Sequence, residues 1–91
     1  MKLNNKDFAN SVEALQYALK VAKEVKQLSG VNFGEDNFTF SNDKTYTRVW
    51  FHAVVLQVLY RLDINTKGIS ILHWEDGKGW TGEHPVELVV G

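Results

Sequence analysis

The side chains best suited to chemistry are concentrated in one stretch, His73-Trp74-Glu75-Asp76-Gly77-Lys78-Gly79-Trp80-Thr81-Gly82-Glu83-His84. His73 and Glu75 are two residues apart, so on a strand their side chains share a face. With His84 brought near by a hairpin, they could offer two nitrogens and one oxygen to a metal ion. Because no His-Glu-x-x-His motif is present, we favour surface or hydrogen-bonded histidines and predict no metal, no cofactor and no catalytic residue. Acid–base chemistry at His73 or His84 is the alternative.

The same stretch contains a glycine turn between two tryptophans. Backbone N–H groups of Gly77-Lys78-Gly79 could hold an oxyanion, but the G-x-x-x-x-G-K-[ST] spacing is missing, so we predict an ordinary turn. Trp74 and Trp80 could form a stacking platform for a ring or a base. We prefer the alternative in which one indole fills the core and the other covers the end of the sheet.

Arg48, Trp50 and His52 alternate along a second stretch, so on a strand they share one face. If that face is open, an aromatic ring between two polar groups is a suitable contact surface for a partner chain or an anionic ligand. If the helix covers it, Trp50 belongs to the core and Arg48 lies at its rim. Both arrangements fit the sequence.

The element that must position these residues is the stretch 45–65, TYTRVWFHAVVLQVLYRLDIN. Each half alternates between apolar and polar residues, and the parity changes once, near residues 53–55. An inserted residue in a β-bulge flips parity in this way. We therefore predict one long bent strand rather than a buried helix. The turn Asn65-Thr66-Lys67-Gly68 should then lead into a strand at residues 69–74, with its glycine at positive φ.

The N-terminal part predicts one amphipathic helix over residues 4–29, ending at Gly30. Its apolar stripe is predicted to contain Phe8, Val12, Leu15, Ala18, Leu19, Ala22 and Val25. Its first turn is predicted to be capped by Asn4, Asn5 or Asp7.

Two further strands complete the predicted sheet. Residues 37–41 alternate and indicate a short strand, and residues 86–90 indicate a final one after a loop at 75–85. The fold class is therefore α+β, with an N-terminal helix on a curved four-stranded antiparallel sheet in the order α-β-β-β-β. The whole chain, 1–91, is expected to be one domain. The order of elements is similar to that of cystatin-like folds, a resemblance that implies no function.

Composition excludes several classes of protein. The chain has no cysteine, so disulfides, thiolate metal sites and cysteine nucleophiles are absent. No apolar run reaches the roughly 20 residues of a membrane span, and the N-terminal sequence lacks a secretory signal, so we expect a cytoplasmic protein. Ten basic and eleven acidic residues give a net charge of −1, which ranks nucleic-acid binding last.

The function expected from these observations is a homo-oligomeric interaction module without catalytic activity. A sheet covered by one helix leaves a second face, and the surplus of aromatic and β-branched residues predicts a homodimer or another protein partner. The alternative is a small-molecule pocket or enzyme between helix and sheet. The aromatic and histidine walls of this pocket are predicted to be Trp50, His52, Tyr60, His73 and Trp74. Short length and the lack of a motif also fit an accessory protein of a bacterial or phage genome. The residues predicted to bind a partner or ligand are Arg48, Trp50, His52, Tyr60, His73, Trp74 and Trp80.

Overall fold

The computed structural model describes residues 1–84 of the 91-residue chain, without the side chains of Glu83 and His84. The strand predicted at residues 86–90 lies outside the described residues. In chain order the elements are β1 (Lys2–Leu3), β2 (Lys6–Asp7), α1 (Ser11–Glu24), a 3₁₀ turn (Lys26–Leu28), a second 3₁₀ turn (Glu35–Asn37), β3 (Thr39–Asp43), β4 (Tyr46–Val55), β5 (Val58–Asn65), β6 (Ile69–Glu75) and β7 (Gly79–His84). No helix within residues 1–84 is long and apolar enough to cross a membrane.

Strands β3 to β7 form an antiparallel meander in which each strand pairs with the next along the chain. This confirms the α+β class and the antiparallel sheet, but the predicted count of four strands is wrong. One reason is that the stretch 45–65 is two strands, β4 and β5, which pair from Arg48↔Asn65 to Val55↔Val58. Leu56 and Gln57 join them, with φ values of 50° and 68°. Two successive left-handed residues make a two-residue hairpin turn, and this turn, not a bulge, changes the parity.

The predicted loop at residues 75–85 is also shorter than expected. Residues 76–78 form a turn, and β7 begins at Gly79 and pairs back onto β6. Gly77 and Gly79 have φ values of 84° and 83°, a conformation that glycine adopts without strain. The glycines that indicated a loop therefore shape a hairpin, and Trp80 lies on a strand.

The hairpin predicted between β5 and β6 is confirmed, although its closure differs. Asn65 N donates to the carbonyl oxygen of Gly68 over 2.9 Å. The side-chain oxygen of Asn65 also accepts from the N–H groups of Lys67 and Gly68, at 2.9 and 3.1 Å. The asparagine side chain thus satisfies two N–H groups of the turn, and Gly68 does not take the predicted positive φ.

The helix is shorter than the predicted span of 4–29. Asn4 and Asn5 have φ values of 50° and 61° and form the turn of the small β1–β2 hairpin, so the predicted caps at Asn4, Asn5 or Asp7 are wrong. Asn10 caps α1 instead, because its side-chain oxygen accepts from Glu13 N over 3.0 Å. The α-helix ends at Glu24 and a 3₁₀ turn continues to Leu28, two residues before Gly30 at φ 87°.

The core lies between α1 and one face of the sheet. It contains the helix residues Ala14, Ala18, Val21 and Ala22, and the sheet residues Val49, Phe51, Ala53, Leu62, Ile64 and Ile71. The helix residues share the helical spacing of the predicted stripe, but the buried face is rotated toward Ala14 and Val21. Val12, which was predicted to be buried, is 59% exposed. The large aliphatic residues that indicate the stripe are a poor guide, because three of the four buried residues of α1 are alanines.

We predict that Val21→Ala lowers the free energy of unfolding by about 2 kcal/mol, because it removes two buried methyl groups and leaves a cavity. Val12→Ala on the same helix is the matched control and should change it by less than about 0.5 kcal/mol. Urea denaturation followed by circular dichroism measures both values. Equal losses in the two variants would contradict the rotated core face.

Candidate functional site

The sheet has two faces with different surroundings. Val49, Phe51 and Ala53 of β4 point to the inner face, which α1 covers, and the connecting segment adds Phe33 and Phe38 next to Phe51. The side chains that alternate with them point to the opposite, outer face. Within residues 1–84 the helix packs on the inner face, so the outer face has no covering layer there.

Seven residues of β4 to β7 form a continuous surface on this outer face, which we call the outer strip. They are Arg48, Trp50, His52, Arg61, Asp63, Trp74 and Trp80. Strand pairing sets their order, because Trp50 lies opposite Asp63, His52 opposite Arg61, and Trp74 opposite Trp80. Alternation along each strand and register between strands therefore bring together residues that are up to 32 positions apart in sequence, from 48 to 80.

Guanidinium groups link the two central indoles. The Arg48 guanidinium lies 4.7 Å from the centre of the Trp50 ring. The Arg61 guanidinium lies 5.8 Å from the ring of Trp50 and 5.8 Å from that of Trp80. A cation within about 6 Å of an aromatic ring is attracted to its electron-rich face. Arg61 therefore bridges the tryptophans of β4 and β7.

Trp80 is also the centre of the ring contacts. The His52 ring stacks on it at a centroid distance of 5.1 Å and an interplanar angle of 21°. The Trp74 ring meets it edge to face at 5.4 Å and 78°. Trp74 Nε1 donates to Asp76 Oδ1 over 3.3 Å, which holds the exposed indole in place. The rings thus form a rigid, partly exposed surface with low conformational entropy.

Asp63 holds the two arginines on the outer strip. Its Oδ2 accepts from Arg48 Nε at 2.7 Å, lies 2.5 Å from Arg48 Nη2, and lies 3.5 Å from Arg61 Nη2. Asp63 is only 7% exposed, so its charge requires these partners. Its Oδ1 and Arg61 Nε have no hydrogen-bond partner among the described residues. Two arginines against one aspartate leave the strip with one net positive charge.

Of the seven predicted binding residues, the outer strip contains five, namely Arg48, Trp50, His52, Trp74 and Trp80. Neither Trp74 nor Trp80 belongs to the core, contrary to the preferred prediction for the tryptophans. Tyr60 and His73 lie opposite each other on the inner face instead. The predicted pocket is therefore not assembled, because Trp50, His52 and Trp74 are on the other side of the sheet from Tyr60 and His73.

Sequence reasoning missed Arg61 and Asp63. Their alternation with Leu62 was visible in the sequence and places both on the polar side of their strand. Their proximity to Trp50 was hidden because one continuous strand would keep residues 50 and 63 far apart. Predicting a turn at residues 56–57 would have placed Asp63 opposite Trp50 on the neighbouring strand.

His73 belongs to a different, local cluster on the β6–β7 hairpin. Its Nε2 is 3.0 Å from Glu75 Oε1, and Lys78 Nζ is 3.6 Å from Glu75 Oε2. Among the described side chains, those of residues 1–82, no three histidines, aspartates or glutamates are grouped as metal ligands would be. The third ligand of the metal alternative, His84, has its side chain outside the described residues.

Comparisons of the chain with protein-family models, with curated proteins and with solved structures find no match. Planar cations and aromatic rings on a rigid sheet are typical of protein contact surfaces, in which tryptophan and arginine supply much of the binding energy.

We predict that Asp63→Asn lowers the free energy of unfolding by about 2 kcal/mol. The substitution leaves two arginines without their shared countercharge, and the value is reduced from that of a fully buried pair because Arg48 is one-third exposed. Asp43→Asn, at an exposed position of β3, is the control and should change it by less than about 0.5 kcal/mol. Urea unfolding followed by tryptophan fluorescence measures both. Similar values would show that Asp63 does not organise the strip.

Proposed function

We propose that the protein is a homo-oligomeric interaction module without catalytic activity. Copies of the chain associate with each other, and the outer strip contacts a protein partner. The observation that carries the proposal is the distribution of exposed apolar side chains in the sheet. Val54 is 66%, Leu56 93% and Trp74 44% exposed, and all three lie on the outer face or at the β4–β5 turn.

Exposed apolar side chains in these positions are unusual for a sheet whose second face is in contact with water. Such a face normally carries polar side chains, because apolar residues there gain nothing from folding. Here Trp74 and Val54 occupy it without a covering layer in residues 1–84, and Leu56 is exposed at the adjoining turn. Exposed apolar side chains in this concentration support contact with another chain.

The charges of the outer strip favour an acidic protein segment as the partner. Arg48, Arg61 and Asp63 leave one net positive charge, and His52 and the indoles add flat surfaces beside it. An acidic segment would complement the charge, and its side chains could pack on the rings. Nucleic acid fits less well, because the chain as a whole has a net charge of −1.

A small-molecule pocket is the second candidate function. A groove of about 520 Å³ lies between residues 26–29 and the end of the β4–β5 hairpin, on the inner side of the sheet. Of the predicted pocket residues it contains only Tyr60. The groove supports the prediction of a concavity between helix and sheet, but most of the predicted wall residues lie outside it.

The self-association part of the proposal predicts a dimer at micromolar concentration. Gel filtration coupled to light scattering should give a mass close to twice the 10.4 kDa of the chain at 50 µM or so, falling toward the monomer on dilution. A monomer at every concentration up to the millimolar range would contradict it.

The outer-strip part predicts selective binding of acidic peptides. Peptides selected from a random display library on the wild-type protein should be acidic, and the double variant His52→Ala/Trp74→Ala should bind them at least tenfold more weakly. Both positions are exposed, so the fold should persist. Lys20→Ala/Lys23→Ala on the exposed side of α1 is the control and should bind nearly as well as wild type. Peptides without acidic bias, or equal loss in both variants, would contradict the proposal.

A further inference from the structure

The tip of the β4–β5 hairpin exposes a large apolar side chain in an unfavourable backbone conformation. Leu56 is almost fully exposed, and it takes a φ of 50° beside Gln57 at 68°. Two-residue turns of this kind normally use asparagine and glycine, which tolerate left-handed angles. A leucine here is strained and gains no burial within its own chain. Strain combined with exposed apolar surface indicates that the tip has a role other than stability.

A groove lies directly beside this tip. It is lined by Lys26, Gln27, Ser29, Val55, Val58 and Tyr60, together with Leu56 at its edge. Its volume of about 520 Å³ is ample for a leucine side chain, since cavities of roughly 150 Å³ can hold benzene. Val55, Val58 and Tyr60 give the groove apolar and aromatic surface, so the groove suits an apolar side chain.

Gln27, which lines the groove, has a side-chain oxygen without a hydrogen-bond partner among the described residues. This oxygen, Oε1, is shielded from water. An unpaired acceptor of this kind costs stability until a donor reaches it. The terminal amide of glutamine rotates over a broad range, so Gln27 can turn its oxygen toward the groove. The exposed Gln57 at the hairpin tip carries a side-chain N–H donor.

The protruding leucine and the groove that could receive it therefore lie next to each other on one surface. A twofold dimer requires this arrangement, because the same patch of each copy must be complementary to itself. The tip, residues 54–58, carries no charge, and among the described residues that line the groove only Lys26 is charged. Two such patches can approach with little electrostatic repulsion.

We propose that the β4–β5 tips of two copies dock reciprocally, with Leu56 of each copy inserted into the groove of the other and Gln57 donating to Gln27 Oε1 across the interface. This inference rests on the proposed self-association and names its surface. The groove then has a second copy of the chain as its occupant rather than a small molecule. Leu56 keeps its strained position because the dimer buries it.

Two variants test the two halves of this contact. Leu56→Asn removes the protruding side chain and places a residue that tolerates the left-handed angle in the turn. It should weaken self-association at least tenfold, and its melting temperature, measured on the monomer in dilute solution, should rise by roughly 3 °C. Ser29→Tyr leaves the tip intact and fills the groove from an exposed position. It should also weaken self-association at least tenfold.

Mixing the variants provides the decisive comparison. A heterodimer of the two retains one complete contact, in which Leu56 of the Ser29→Tyr chain enters the open groove of the Leu56→Asn chain. Analytical ultracentrifugation with one variant fluorescently labelled should therefore give a heterodimer tighter than either homodimer and weaker than wild type.

The outcomes separate this inference from the function on which it rests. A wild-type dimer that persists unchanged in Leu56→Asn or in Ser29→Tyr, or a mixture that binds no better than each variant alone, would overturn the hairpin-tip contact and leave self-association standing. A wild-type chain that stays monomeric would overturn both. Loss in each variant with recovery in the mixture supports the contact.

Discussion

The pairing of β4 with β5 is the interaction on which the rest of the structure depends. Opposite pairs such as Val49↔Ile64 and Phe51↔Leu62 supply the inner face of the core, while the alternating pairs Trp50↔Asp63 and His52↔Arg61 build the outer strip. A slip of one residue would turn both sets to the wrong side of the sheet. The two-residue turn fixes this register, so the core and the outer strip depend on the same short connection.

The fold class could be predicted because it depends on the period with which apolar residues recur in each segment. The helical stripe and the alternating runs indicate α1 and most of the sheet, and the shared face of Arg48, Trp50 and His52 followed from alternation alone. The short strand predicted at residues 37–41 is β3, displaced by two residues. The errors fall where local chemistry is unusual. The turn at residues 56–57 has neither glycine nor asparagine, so the sequence predicts a bulge there and places Arg61 and Asp63 far from Trp50.

The outer strip and the hairpin tip differ in how many of their polar and apolar groups find partners within one chain. On the outer strip, Asp63 neutralises one arginine charge and the rings stack on each other, so the strip is rigid and half-buried before any partner binds. Such preorganisation favours binding, because few side chains must be ordered. The hairpin tip and the groove beside it are the opposite case, since Leu56 is in water and Gln27 Oε1 has no hydrogen-bond partner among the described residues. The tip groove lies on the inner side of the sheet, so copies joined there keep their outer strips free for another protein.

Reciprocal docking puts the strained tip of each copy in the groove of the other. An isotope-filtered nuclear Overhauser spectrum of a mixed dimer, half ¹³C-labelled and half unlabelled, observes contacts between copies directly. Docked tips should give cross-copy signals from the Leu56 methyl groups to Val58 and Tyr60, with none between the indoles of opposite copies. Cross-copy signals confined to Trp50, Trp74 and Trp80 would contradict it, because the copies would then meet through their outer faces.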